Sequence, residues 1–111
     1  QLAPYLKDPD TLFIISTDFC HWGANYDFYP HDTSISKDIN EYIEYLDGQG
    51  MKLIEQEDGA KFVKYWNDTK NNICGKHPIA VYLEALKWYL LLYISSIFKA
   101  KIIHQNLILK I

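Results

Sequence analysis

The chain is 111 residues long, carries a formal net charge of −3 and contains two cysteines. That length excludes more than one domain of ordinary size, the mild acidity leaves no electrostatic footprint for nucleic acid, and two cysteines are too few for a disulfide framework. Hydrophobic residues make up 49% of the chain, which argues for a packed globular unit over a disordered one.

No basic-then-apolar leader opens the sequence, so the expectation is a reducing, cytoplasmic setting. In Gln1–Lys7, Leu2 and Leu6 stand four apart, the apolar edge of a helix begun upstream, and Asp8-Pro9-Asp10 breaks it. The run Leu12-Phe13-Ile14-Ile15 predicts a strand over Thr11–Ile15 buried on both faces. Helix, turn and buried strand read as the second half of a βαβ unit. The expected fold class is therefore α/β, a partial sheet with flanking helices.

Ligand chemistry in open α/β sheets gathers past the carboxyl ends of strands. Ser16-Thr17-Asp18-Phe19-Cys20-His21-Trp22-Gly23 delivers a carboxylate, a thiol and an imidazole at that place. Asp18 to Thr33 has no clear period and reads as a long aromatic loop; Tyr26, Phe28 and Tyr29 line a pocket or staple the loop to the core.

Ser34 or Ser36 caps a helix running through Asp47, with Ile39, Tyr42, Ile43 and Leu46 on one face and Gly48 and Gly50 ending it. Met51–Gln56 is a strand or a tight connector. Asp58 caps a helix over Gly59–Asp68, with Phe62 and Trp66 facing inward. Asn67 to Asn72 is a polar linker. Ile73-Cys74-Gly75-Lys76-His77-Pro78 opens a core helix, Pro78 standing at its first position and Ile79, Tyr82, Leu83, Leu86 and Leu90 following at helical spacing. Its N-terminus directs free N–H groups and a partial positive charge toward Cys74. Residues 88–111 form an apolar tail set apart from 1–87; the uninterrupted apolar run is short of the roughly 20 residues a membrane span needs.

Asp18, His21 and Cys74 are the candidate site. Carboxylate oxygen, imidazole nitrogen and thiolate sulfur suit a borderline transition metal such as iron, copper or zinc. Cys20 reads as a small buried hydrophobe. His77 orients Cys74 from behind or shapes the turn, and Trp22 is an aromatic wall for a peptide or phenolic ring or ordinary packing. His31 and His104 have no partner at metal spacing. A Cys-His hydrolase built on Cys74 with His21 or His77 is the challenger from another class, but nothing marks an oxyanion hole.

Ser-Thr-Asp-Phe-Cys-His-Trp-Gly at 16–23 and Asn-Ile-Cys-Gly-Lys-His-Pro-Ile at 72–79 resemble two diagnostic stretches of the Memo family, with Ile43–Asp47 and Gly50–Gln56 in register between them. The resemblance runs to about Lys87 and covers the later portion of a Memo protein, so the chain is expected to be a fragment. It implies a fold similar to that of class III extradiol ring-cleaving dioxygenases. It also implies an iron or copper site at Asp18, His21 and Cys74, completed by histidines from an earlier part of the protein, in a redox role tied to cell-motility signalling. The alternatives are a non-catalytic adaptor, with a receptor tyrosine kinase phosphotyrosine peptide against Trp22, His21 and Cys74, and an inactive truncated fragment. Whether such proteins are enzymes is left open.

Overall fold

A computed structural model describes the backbone of residues 2 and 4–108 and the side chains of residues 2 and 4–95. Three helices carry it: α1 (Ile39–Glu55), α2 (Gly59–Thr69) and α3 (Lys76–Ile108). Ahead of them lies a long irregular arm with single 3-10 turns at Tyr5–Lys7 and Ala24–Tyr26. The first of these turns stands where the sequence predicts the end of a longer helix.

α1 and α2 each start on an aspartate that accepts one of the free N–H groups of the first turn. Asp38 caps α1 by accepting the Asn40 N–H at 2.7 Å, so the start lies beyond Ser34 and Ser36. Asp58 caps α2 as predicted, accepting the Lys61 N–H at 3.0 Å. Contact with Lys61 holds the Asp58 carboxyl below its ordinary range. α3 begins at Lys76, which makes Pro78 its third residue and not its first, still within the first turn, where an N–H has no helical partner to lose.

The end of α1 corrects the sequence reading. Gly48 and Gly50 lie inside the helix, which continues over Met51–Glu55. It closes at Glu57, in the left-handed region at φ 56°, where the Asp58 N–H reaches Leu53 C=O (3.0 Å) and the Glu57 N–H reaches Ile54 C=O (2.9 Å). Gly50 is needed for closeness instead: a Cβ there would stand 2.7 Å from the Tyr65 ring and 3.2 Å from the Phe19 ring.

The core forms where α1 packs on α2 and α2 on α3. Leu46, Phe62, Tyr65, Ile73, Ile79 and Leu83 are its buried members, and Ile15, Phe19, Cys20, Phe28, Tyr42, Trp66 and Leu86 close around them. α3 runs on past Lys87 without a break, and Leu90 to Ile94 are exposed along it. No helix among the described residues is long and apolar enough to cross a membrane.

The α/β expectation is overturned. Among the described residues there is no β-strand, and the one isolated bridge joins Gly23 to Phe28. Residues 11–15 make no ladder. Phe13 rests on the Tyr82 ring (centroids 5.4 Å) and Ile15 packs on the core, while Leu12 and Ile14 are each 81% exposed. The side chains alternate inward and outward as on a strand, but a strand exists through its ladder and no described segment lies alongside. An apolar run buried on both faces looks the same in sequence as one buried on a single face.

Candidate functional site

Two segments fifty residues apart are stitched together antiparallel, through side chains more than backbone. The Thr17 hydroxyl accepts the Gly75 N–H at 3.0 Å. The Asp18 N–H points at Cys74 Sγ (3.1 Å), and the Cys74 N–H returns to Asp18 C=O (3.2 Å). Further along, the His21 N–H donates to Asn72 Oδ1 at 2.8 Å and Asn72 Nδ2 donates to His21 C=O at 2.9 Å. The approach is too tight for any side chain at Gly75, whose Cβ would meet Thr17 Cβ at 2.4 Å and Ser16 O at 3.1 Å.

A second brace comes from α1. Both Asp47 oxygens accept the Cys20 N–H (3.3 and 3.2 Å), and Asp47 Oδ1 also accepts from Asn71 Nδ2 at 2.8 Å. Asn71 is fully buried; its Nδ2 also donates to the Tyr65 hydroxyl, which itself donates to Leu46 C=O at 2.7 Å. Burial, reinforced by the Asp47 charge, pushes the Cys20 thiol up to about 11, as befits the small hydrophobe expected there.

This scaffold presents Asp18 and His21 together. His21 Nε2 lies 3.8 Å from Asp18 Oδ2, with the imidazole mostly covered and the carboxylate open to solvent. The other ring nitrogen, Nδ1, faces Asn72 C=O at 3.3 Å, and Tyr26 leans on the ring. Cys74 sits at the same junction with its sulfur against the main chain of Asp18, 3.8 Å from the Thr17 hydroxyl, and the residue is exposed.

The donor set fits a metal in part. Two ligand atoms each about 2.0–2.2 Å from one ion lie at most about 4.4 Å apart, and the Asp18–His21 pair satisfies that. Among the described residues, however, no group of three or more His, Cys, Asp or Glu is arranged to hold an ion. The sulfur is turned to an N–H of the backbone.

The other expected residues scatter. His77 meets the Trp66 ring edge-on at 4.9 Å, and Lys76 Nζ lies 4.7 Å over that indole; among the described residues His77 shares no hydrogen bond with Cys74. Trp22 donates its Nε1–H to Pro30 C=O at 3.0 Å and lines an open hollow of about 520 Å³ with Ala24, Tyr29, His31 and Ile39. Phe28 staples the loop to the core, whereas Tyr29 faces the hollow. His31 is tied to Ser36 C=O (2.9 Å) and Tyr42. The side chain of His104 lies outside the described residues. Asn71, Asn72 and Asp47 carry the architecture unannounced: the first two pass as polar linker, the third as the last turn of a helix.

A profile of the Memo-like protein family matches residues 1–104. The chain belongs to the Memo-like family. Among curated Memo relatives it is 46% identical over 84 residues to human Protein MEMO1, covering 76% of this chain and 28% of that protein. It is 48% identical over 85 residues to Protein MEMO1 of Danio rerio, with 77% and 28% covered. Against the Protein memo-1 homolog of Caenorhabditis elegans, identity is 45% over 87 residues, with 78% and 25% covered. The chain thus spans about a quarter of the length of the Memo proteins it matches.

Proposed function

We propose that this Memo-like chain supplies one wall of a metal-binding redox site, in which Asp18 and His21 hold an iron or copper ion and Cys74 joins them as the soft ligand. The observation that carries the reading is the 3.8 Å approach of His21 Nε2 to Asp18 Oδ2 on a segment braced from both sides. An ion held there would supply one-electron chemistry. The residues supply its position. Asp47 and Asn72 fix the backbone of Cys20 and His21, so the imidazole is aimed before any ion arrives, while the Asp18 carboxylate stays open to solvent. Cys74, exposed and one residue from the close Gly75–Thr17 contact, would have to turn its sulfur off the Asp18 N–H to join the pair.

The test is metal analysis of the purified chain after exposure to Fe²⁺ or Cu²⁺, beside Asp18→Ala, His21→Ala and Cys74→Ala. Stoichiometric uptake lost in the first two variants and weakened in the third supports the reading. Uptake equal in all four proteins refutes it.

A further inference from the structure

Asn72 engages His21 at three points, and together these decide which way the imidazole works. The carboxamide takes both polar groups of the His21 main chain, Oδ1 accepting its N–H (2.8 Å) and Nδ2 donating to its C=O (2.9 Å). The third contact sets the ring: Asn72 C=O lies 3.3 Å from His21 Nδ1. A carbonyl oxygen only accepts, so Nδ1 must carry the proton. In the neutral ring the lone pair then resides on Nε2, because Asp18 Oδ2, also an acceptor, stands 3.8 Å from it, beyond hydrogen-bond distance.

We propose that Asn72 is the positioning residue of this site, fixing His21 as its Nδ1–H tautomer with the lone pair of Nε2 left free beside Asp18. The inference rests on the metal reading above for its purpose but not for its geometry. A histidine that binds through one nitrogen and anchors the other on a backbone carbonyl is the usual arrangement around protein-bound metals. Here the anchor and the clamp belong to one residue, two places before Cys74. A ligand on the first segment is thus held in register with a ligand on the second.

The tautomer is readable without any metal. Long-range ¹H–¹⁵N spectra of the imidazole nitrogens, recorded on the ¹⁵N-labelled 111-residue chain with its ring neutral, should show His21 protonated at Nδ1 and bare at Nε2. Asn72→Ala should move His21 toward the Nε2–H form that prevails for a free histidine side chain. Asn72→Asp keeps an acceptor for the His21 N–H but sets a charged oxygen against His21 C=O in place of the donor; it should likewise move His21 off the Nδ1–H form, and it serves where the alanine variant does not fold. Calorimetric titration with Zn²⁺ should show Asn72→Ala binding about 10–100-fold more weakly than the parent. Nε2–H in the parent chain, or a tautomer indifferent to both substitutions, overturns the inference. Measurable but equal Zn²⁺ affinity in parent and variants overturns the positioning role too, while leaving the metal reading intact. A locked Nδ1–H tautomer in a chain that takes up no Fe²⁺ or Cu²⁺ upholds the hold of Asn72 on the ring and sinks the metal reading instead.

Discussion

The side chain of Asn72 pairs with the main chain of His21 as a neighbouring strand would, accepting the N–H at 2.8 Å and donating to the C=O at 2.9 Å. A carboxamide carries one acceptor and two donors at the right separation, so it closes a rung where no ladder exists. The same seam is completed by Cys74 on Asp18 and by Gly75 on Thr17, and its weakest tolerance is at the glycine.

Gly75→Ala should therefore destabilise the chain by about 1–3 kcal/mol, because the added methyl falls inside the Thr17 side chain with backbone directly behind it. Gly48 is the control. Nothing stands within 4 Å of a Cβ placed there, in the interior of α1, so Gly48→Ala should stabilise by about 0.5–1 kcal/mol. Urea midpoints of the two variants should move in opposite directions; a shared direction would count against the close-contact argument.

Tyr65→Phe should cost about 1–3 kcal/mol with little change of shape. The hydroxyl donates to Leu46 C=O and accepts from the fully buried Asn71, so its loss strips two buried groups of a partner. Chemical denaturation checks the loss. A neutral substitution would mean the Asn71 network contributes nothing net.

Stability should decline in alkali through Cys20. Its thiol is raised from the ordinary 9.0 to about 11, first by burial and then by the Asp47 charge. Between those values the folded chain keeps a proton that the unfolded chain gives up, so the contribution is whole below about pH 9 and is lost as pH climbs toward 11. Thermal melts across that window should fall more steeply for the parent than for Cys20→Ala. The phenols of Tyr65 and Tyr42, also raised chiefly by burial, remain in both; each loses with Cys20 only the smallest of its causes, so the Cys20 thiol dominates the difference.

Glu57→Gly should stabilise by about 1 kcal/mol. The residue closes α1 at φ 56°, a conformation that costs a side-chain-bearing residue what glycine takes up freely. An unchanged melting midpoint would show that Glu57 recovers that cost through contacts of its own.

The three helices were legible because their causes are local. Tyr42 and Leu46 declare the core face of α1, though Ile39 of the same predicted stripe is exposed, Asp58 announces the start of α2, and Ile79, Leu83 and Leu86 trace the buried side of α3. The i to i+4 hydrogen bond joins near neighbours, so spacing suffices to foresee it. The two motifs at 16–23 and 72–79 likewise disclosed the family and pointed to Asp18, His21 and Cys74.

What sequence could not state was who stands beside whom. Whether Leu12 to Ile15 becomes a strand depends on a partner for its ladder, and only the packed chain shows that none of the described residues provides one. Whether Gly50 ends a helix or admits a tyrosine ring depends on α2, fifteen residues later. Asn72 passed as linker because its meaning lies in His21, fifty-one residues away. Side-chain type and spacing decide local backbone; contact between remote segments is decided by close packing and the pairing of covered polar groups, of which Asn71 Oδ1 alone among the described side chains is left without a partner.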